Sequence, residues 1–194
     1  MNYFQGVQKF YSYDAFMQLM ETLVANGKTS GANHPEAYVF YTKLNLQRLQ
    51  RWDKTLRLND GLVNRVQNIR PQIWWVLNEA WCGDAAQTLP VMDLLSKEAR
   101  GHISLRIIMR DEHLPIMDQY LTNGGRSIPK LIATDMDGKE LFNWGPRPAA
   151  AQKLMMDWRQ NPNGKTFEDI EKELHLWYAR DKGQSMQDEL LPLL

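Results

Sequence analysis

Cys82 is the one cysteine among 194 residues, and it stands in the run Trp81-Cys82-Gly83-Asp84-Ala85. A thiolate can attack a disulfide or a sulfenic acid and form a mixed disulfide. Resolving that adduct inside one protein needs a second cysteine within reach, and the chain has no other. Release then has to come from outside: a low-molecular-weight thiol, a second protein, or the substrate's own second cysteine. The structural alternative is that a lone cysteine packs as a small buried hydrophobe. Its placement in the fold decides between the two.

That placement is readable from the flanking elements. Ile73 to Leu77, IWWVL, is a short apolar run that predicts a strand buried on both faces. Leu89 to Ala99 reads as a helix, so Cys82 falls at a strand-to-helix junction. Unpaired backbone N–H groups and the positive dipole end of a helix favour thiolate over thiol. Thiols so placed have pKa values lowered into roughly the 3.5–7.5 range. Asp84 opposes this if its carboxylate turns toward the sulfur, and the expectation is a modest net lowering.

Beyond the junction, Ile103 to Met109 predicts a second strand and Leu114 to Leu121 a short helix. Lys130 to Ala133 and Glu140 to Trp144 flank Asp137-Gly138, a hairpin turn signal. A helix follows from about Pro148 to Arg159. Residues 1–70 read as helices, the first capped by Asp14, the second starting at Pro35 and burying residues such as Leu49 and Trp52. A third short helix runs through Leu62, Val66 and Ile69. Thr166 with Asp169 forms an acidic capping box for a last amphipathic helix, and the LLPLL tail either covers a surface or frays.

The order strand, helix, strand, helix, strand, strand, helix over residues 71–160 resembles the thioredoxin fold, an α/β architecture with a central mixed sheet flanked by helices. Two motifs sit where that fold wants them: Trp81-Cys82-Gly83 at the first strand-to-helix junction, and Ser127-Ile128-Pro129 directly before the third strand. The whole chain is similar to a bacterial thioredoxin-like branch with WCGDAAQ in place of a Cys-x-x-Cys site. That likeness is carried by LNLQRLQRWDKT (residues 44–55), EAWCGDAAQTLP (79–90) and MRDE followed by TNGGRSIPKLI (up to 132). It implies that Ala85 belongs to the branch, that Ile128-Pro129 is cis, and that Cys82 is the nucleophile. It also implies a substrate surface of Trp81, Gly83, Asp84, Ala85, Ser127, Ile128 and Pro129, whose backbone can pair with an extended peptide. One departure accompanies Ala85: thioredoxins bury an aspartate six residues before the first cysteine, and here that position is Val76. Both parts of an internal resolving step are thus absent together.

The predicted organisation is a helical extension (1–70) on a thioredoxin-like core (71–160), followed by a C-terminal helix and tail (161–194), as one compact domain. The favoured function is a monothiol thiol–disulfide oxidoreductase, and the alternative is a non-catalytic module that grips a protein segment through the Pro129 loop. The expected partner is a cysteine-containing protein or a low-molecular-weight thiol, with no cofactor. Lys plus Arg and Asp plus Glu number 23 each, a balance that argues against a nucleic-acid or membrane-surface partner. The N-terminus lacks the apolar run of a signal peptide, and one cysteine points to no oxidising compartment, so a cytoplasmic protein is expected. His34, His102, His113 and His175 show no metal spacing. Gly164-Lys165-Thr166 lacks the earlier glycine of a phosphate loop, since position 159 is arginine. Arg126 either meets an anionic group or is a solvated loop charge, and Arg147, in GPRP, is expected to shape a turn.

Overall fold

In the computed structural model, which describes residues 2–194, four strands form one mixed sheet in the order β2-β1-β3-β4. They are β1 (Gln72–Asn78), β2 (Ile103–Met109), β3 (Lys130–Thr134) and β4 (Glu140–Trp144). β1 runs parallel to β2 and antiparallel to β3, with Val76 opposite both Ile107 and Leu131. β3 and β4 form the expected hairpin, in which Asp135 Oδ1 accepts the N–H groups of Asp137 and Lys139 at 3.0 and 2.8 Å. All seven residues of β1 are buried, as a central strand with layers on both faces requires.

The helices are α1 (Tyr13–Ala25), α2 (Glu36–Thr55), α3 (Asp60–Val66), α4 (Ala85–Glu98), α5 (Leu114–Met117), α6 (Ala149–Gln160), α7 (Phe167–Asp181) and α8 (Gln184–Leu190). The mixed sheet with helices around it is the α/β thioredoxin-like fold that the element order implied. Several local expectations are corrected. Ser12, not Asp14, caps α1, its hydroxyl accepting the Ala15 N–H at 3.2 Å. α5 stops at Met117 rather than Leu121. The tail does not fray: Leu190 is fully buried and Leu194 packs against the core. Gly183, in the left-handed region at φ +77°, turns the chain from α7 into α8, an element absent from the sequence reading.

The correction that bears on the site is in α4, which begins at Ala85 and runs through Pro90. Proline lacks an N–H and costs a helix interior ~3 kcal/mol. Leu89, Val91, Met92 and Leu95 are each at most 1% exposed, and burying one such side chain contributes ~1.5–3 kcal/mol. Packing outweighs the proline, and the helix start moves next to Cys82.

The N-terminal segment bridges to the free edge of β2 at one residue pair. Tyr11 and Ile107 exchange two backbone hydrogen bonds of 2.8 Å, and Phe4 stacks on Trp75 at 4.7 Å. Apolar residues of α1, α2, α3, α4 and α8 merge with those of the sheet into one core. α6 and α7 instead build a second cluster around Met155, Ile170, Leu174 and Tyr178.

Candidate functional site

Cys82 sits in the turn between β1 and α4, and the first N–H of that helix points at it. The Ala85 N–H donates to Cys82 Sγ at 3.4 Å, while the thiol donates to the Ile128 carbonyl oxygen at 3.2 Å. The Ile128–Pro129 peptide is cis. The sulfur therefore lies where the helix start and the Pro129 loop meet, but the Cys82 residue is only 5% exposed. Burial, with the neighbouring Asp84 charge, pushes the thiol up to about 12 against the opposing pull of the Ala85 N–H and Arg147. The expected modest lowering is overturned. The strand-to-helix junction is legible in the sequence, whereas the desolvation that outweighs the pull of the helix start comes from residues packed around the thiol.

Asp84 neither caps α4 nor faces solvent. Its Oδ1 accepts the Tyr178 hydroxyl at 2.7 Å, and its Oδ2 accepts the Arg147 Nε–H at 3.0 Å in a fork completed by Nη2. Arg147 is held by a third bond, from Nη1 to Gln152 Oε1 at 3.3 Å. Burial works against the Arg147 charge, but Asp84 outweighs it and raises this guanidinium further. The turn that delivers Arg147 depends on Gly145 at φ +112°, where a Cβ would stand 2.4 Å from the Pro129 carbonyl oxygen. Arg147 thus does more than shape a turn.

One face of α7 lies over the Cys82 turn. Glu171, His175 and Tyr178 stand at i, i+4 and i+7, so they share a stripe. Each meets the main body through a hydrogen bond: Tyr41 to Glu171 at 2.8 Å, Gln87 with His175 Nδ1 at 3.0 Å, and Tyr178 to Asp84. Burial raises the Glu171 carboxyl, but the His175 and Tyr41 bonds and nearby Arg48 outweigh it and hold the group below the usual range. Gly83 fits beneath this stripe because it has no side chain, since a Cβ there would be 3.0 Å from His175 Nε2.

These elements enclose a cleft of about 370 Å³. Trp81 forms part of its wall, sandwiched between the Tyr38 ring at 4.6 Å and the Arg110 guanidinium at 5.0 Å. Of the residues expected at the site, Trp81, Cys82, Gly83, Asp84, Ser127 and Ile128 line the cleft. Ala85 and Pro129 do not; both are buried, and Ala85 borders a void beneath the sulfur too small for a water molecule. Asn78 borders the same void, and its side-chain amide has no hydrogen-bond partner among the described residues. Arg126 also lines the cleft and pairs with Asp118 at 2.6 Å.

Sequence reasoning missed Tyr38, Tyr41, Arg147, Glu171, His175 and Tyr178 as site residues. In the sequence His175 has no metal spacing and Arg147 lies in the turn stretch GPRP. For Glu171, His175 and Tyr178 the i, i+4, i+7 spacing on α7 is the sequence signal. His113, by contrast, hydrogen-bonds the Met109 carbonyl at 2.9 Å and does not line the cleft. Among the described residues no group of acidic, histidine or cysteine side chains could hold a metal ion, and no helix is long and apolar enough to cross a membrane.

Comparison with known proteins agrees with the fold. The solved structures that resemble the chain include a protein of unknown function, PA1234, from Pseudomonas aeruginosa. It is 19% identical, with a TM-score of 0.60 over 94% of this chain and 96% of that one. An HIV 4E10 epitope scaffold is also 19% identical, with a TM-score of 0.56 over 94% and 97% of the two chains. At that identity both likenesses speak to the fold alone. No curated protein matches the chain. A family model described as Thioredoxin (Thioredoxin_9) matches residues 31–159, a span that takes in α2, the Cys82 turn, the Pro129 loop and nearly all of α6, and the chain belongs to that thioredoxin family.

Proposed function

We propose that the protein is a monothiol thiol–disulfide oxidoreductase, with Cys82 as nucleophile and an external thiol as the resolving partner. The observation that carries this reading is the position of Sγ on the cleft wall, between the first N–H of α4 and the carbonyl that precedes Pro129. The sulfur attacks a disulfide, a Cys82 Sγ–S bond forms as the substrate S–S bond breaks, and the departing thiolate takes up the proton that left Cys82. A second thiol then attacks the adduct and returns the electron pair to Sγ. With Ala85 and Val76 in place of the resolving cysteine and its acid, that second thiol is not supplied by this chain.

The resting sulfur is held as a thiol, so ionisation has to accompany substrate entry. A ligand that takes over the Ile128 carbonyl, or a shift of α7 off Gly83, removes part of what retains the proton. Arg147, paired with Asp84, is then the positive charge that opposes it at the sulfur.

The same raised thiol favours a second reading, a thioredoxin-like binding module that uses the Pro129 loop without turnover. Mild oxidation with a small disulfide, followed by intact-mass measurement, separates the two. Monothiol exchange requires an adduct that a Cys82→Ser variant cannot form. A wild-type chain that stays unmodified after prolonged exposure leaves only the binding module.

A further inference from the structure

The cleft beside Cys82 carries more positive charge than its own acids balance. Four arginines line it, Arg110, Arg126, Arg147 and Arg159, against two carboxylates, Asp84 and Glu171. The arginines come from four separate places in the chain: the turn after β2, the loop before β3, the β4–α6 turn and the last turn of α6. Both carboxylates are committed, Asp84 to Arg147 and Tyr178, and Glu171 to Tyr41 with His175 at 3.8 Å. Arg110 and Arg126 pair with Asp111 and Asp118, half-exposed groups outside the cleft lining. Such pairs are weak and screened, and a guanidinium trades them readily for a carboxylate held in a cleft. Arg159 is exposed and has no ion-pair partner among the described residues.

We infer that the cleft takes a small anionic sulfur compound, a low-molecular-weight thiol or its disulfide bearing at least two negative charges, with Arg159 and Arg126 as its charge partners. The sulfur half of this inference rests on the proposed role of Cys82; the anionic half rests on the arginines alone. Size favours a small molecule over a protein. About 370 Å³ lies at the lower end of ligand clefts, and a cysteine only 5% exposed beside the Tyr38–Trp81–Arg110 stack admits a slim aliphatic disulfide. A disulfide within a folded partner brings backbone on both sides. In the corresponding step, Cys82 attacks R–S–S–X at the sulfur of the anionic group R, and X departs as a thiol. A second R–SH then attacks the mixed disulfide, leaving R–S–S–R and free Cys82, so X is reduced and R–SH is the reductant.

The test uses the full chain near neutral pH at low ionic strength, titrated calorimetrically with three unreactive thioethers of similar size. Thiodipropionate is a dianion, thiodiethanol is neutral, and bis(aminoethyl) sulfide is a dication. The dianion should bind at least about tenfold more tightly than the neutral compound, and the dication not at all. Arg159→Glu should erase that advantage, Arg159→Lys should keep most of it, and added salt should shrink it. Equal binding of all three, an advantage that survives Arg159→Glu, or binding only by an acidic cysteine-containing peptide overturns the inference. Incubation with the disulfides dithiodipropionate and cystamine, read by intact mass, tests the role of Cys82 separately. Thioether binding without any adduct defeats the exchange chemistry and leaves the anion site standing. Equal adduct formation by the two disulfides defeats the anion site and leaves exchange standing.

Discussion

The Cys82 thiol and the Ile128 carbonyl face each other at 3.2 Å, so the protein's own sulfur occupies the main-chain acceptor beside Pro129. A segment or ligand that pairs with this loop has to displace the thiol from that oxygen. Displacement removes a bond that favours the protonated form, and a hydrogen bond to the neutral form holds a pKa up. Occupancy of the loop and ionisation of the sulfur are thereby coupled through one oxygen atom.

The resting thiol should label slowly. Burial and Asp84 push Cys82 from an ordinary 9.0 up to about 12. Iodoacetamide modification of the folded chain should stay minor near neutral pH and climb only at alkaline pH, while the urea-unfolded chain labels with an ordinary thiol profile. Linkage carries the same sign. The folded-state value lies above the unfolded one, so this contribution to stability is complete below pH 9.0 and is lost as pH rises toward about 12. A folded-state labelling midpoint below the unfolded one contradicts the geometry.

Asp84 and Arg147 should move that midpoint in opposite directions. The carboxylate raises the thiol and the guanidinium lowers it, so Asp84→Asn brings Cys82 down and Arg147→Gln takes it higher. Each variant also leaves a buried charge without its partner, at a cost of about 3–5 kcal/mol in a urea titration. The double variant should recover part of that loss because the two residues share one interaction. Midpoints that shift the same way in both single variants rule out this assignment of charges.

Gly83 and Gly61 should respond to alanine with opposite signs. At Gly83 a new Cβ presses on His175 Nε2 and Cε1 at 3.0 and 3.1 Å, beneath the α7 stripe. Overpacking of this kind costs about 1–3 kcal/mol, and hydrogen exchange in α7 together with Cys82 labelling should speed up. At Gly61, inside α3, the nearest atom is Asn59 Oδ1 at 3.8 Å, and helix propensity should stabilise the chain by about 0.5–1 kcal/mol. Unchanged α7 exchange in Gly83→Ala means that the stripe does not cover the turn tightly.

Insulin disulfide reduction should be weak for the wild-type chain and stronger for Ala85→Cys. Residue 85 is the first residue of α4, and its N–H already points at Cys82 Sγ from 3.4 Å, so a thiol introduced there lies close to the first. Free-thiol titration should then find two thiols after reduction and none after mild oxidation. Val76 is fully buried and offers no proton acceptor, so Ala85→Cys restores the sulfur pair without the acid beneath it. Robust insulin turnover by the wild type removes the need for an external resolving thiol.

Much of this was legible in the residues themselves. IWWVL marked the central strand, Asp137-Gly138 the hairpin, Thr166 with Asp169 the start of α7, and Cys82 with Pro129 the two loops that meet. Turn chemistry, capping and apolar period act over a few residues, so one sequence records them. The start of α4 escaped because local propensity reads Pro90 as a helix opening, whereas buried neighbours drawn from other elements carry the helix through it. Three further outcomes belong to the tertiary structure alone: the pairing of Asp84 with Arg147, the α7 stripe over Gly83, and a sulfur pushed up rather than down. Each depends on charge, contact or desolvation between groups distant along the chain, and a linear pattern cannot say which surfaces meet. The sequence by itself determined which atom could react, and the packing around it decided that this atom waits as a thiol beside a cleft lined with arginines.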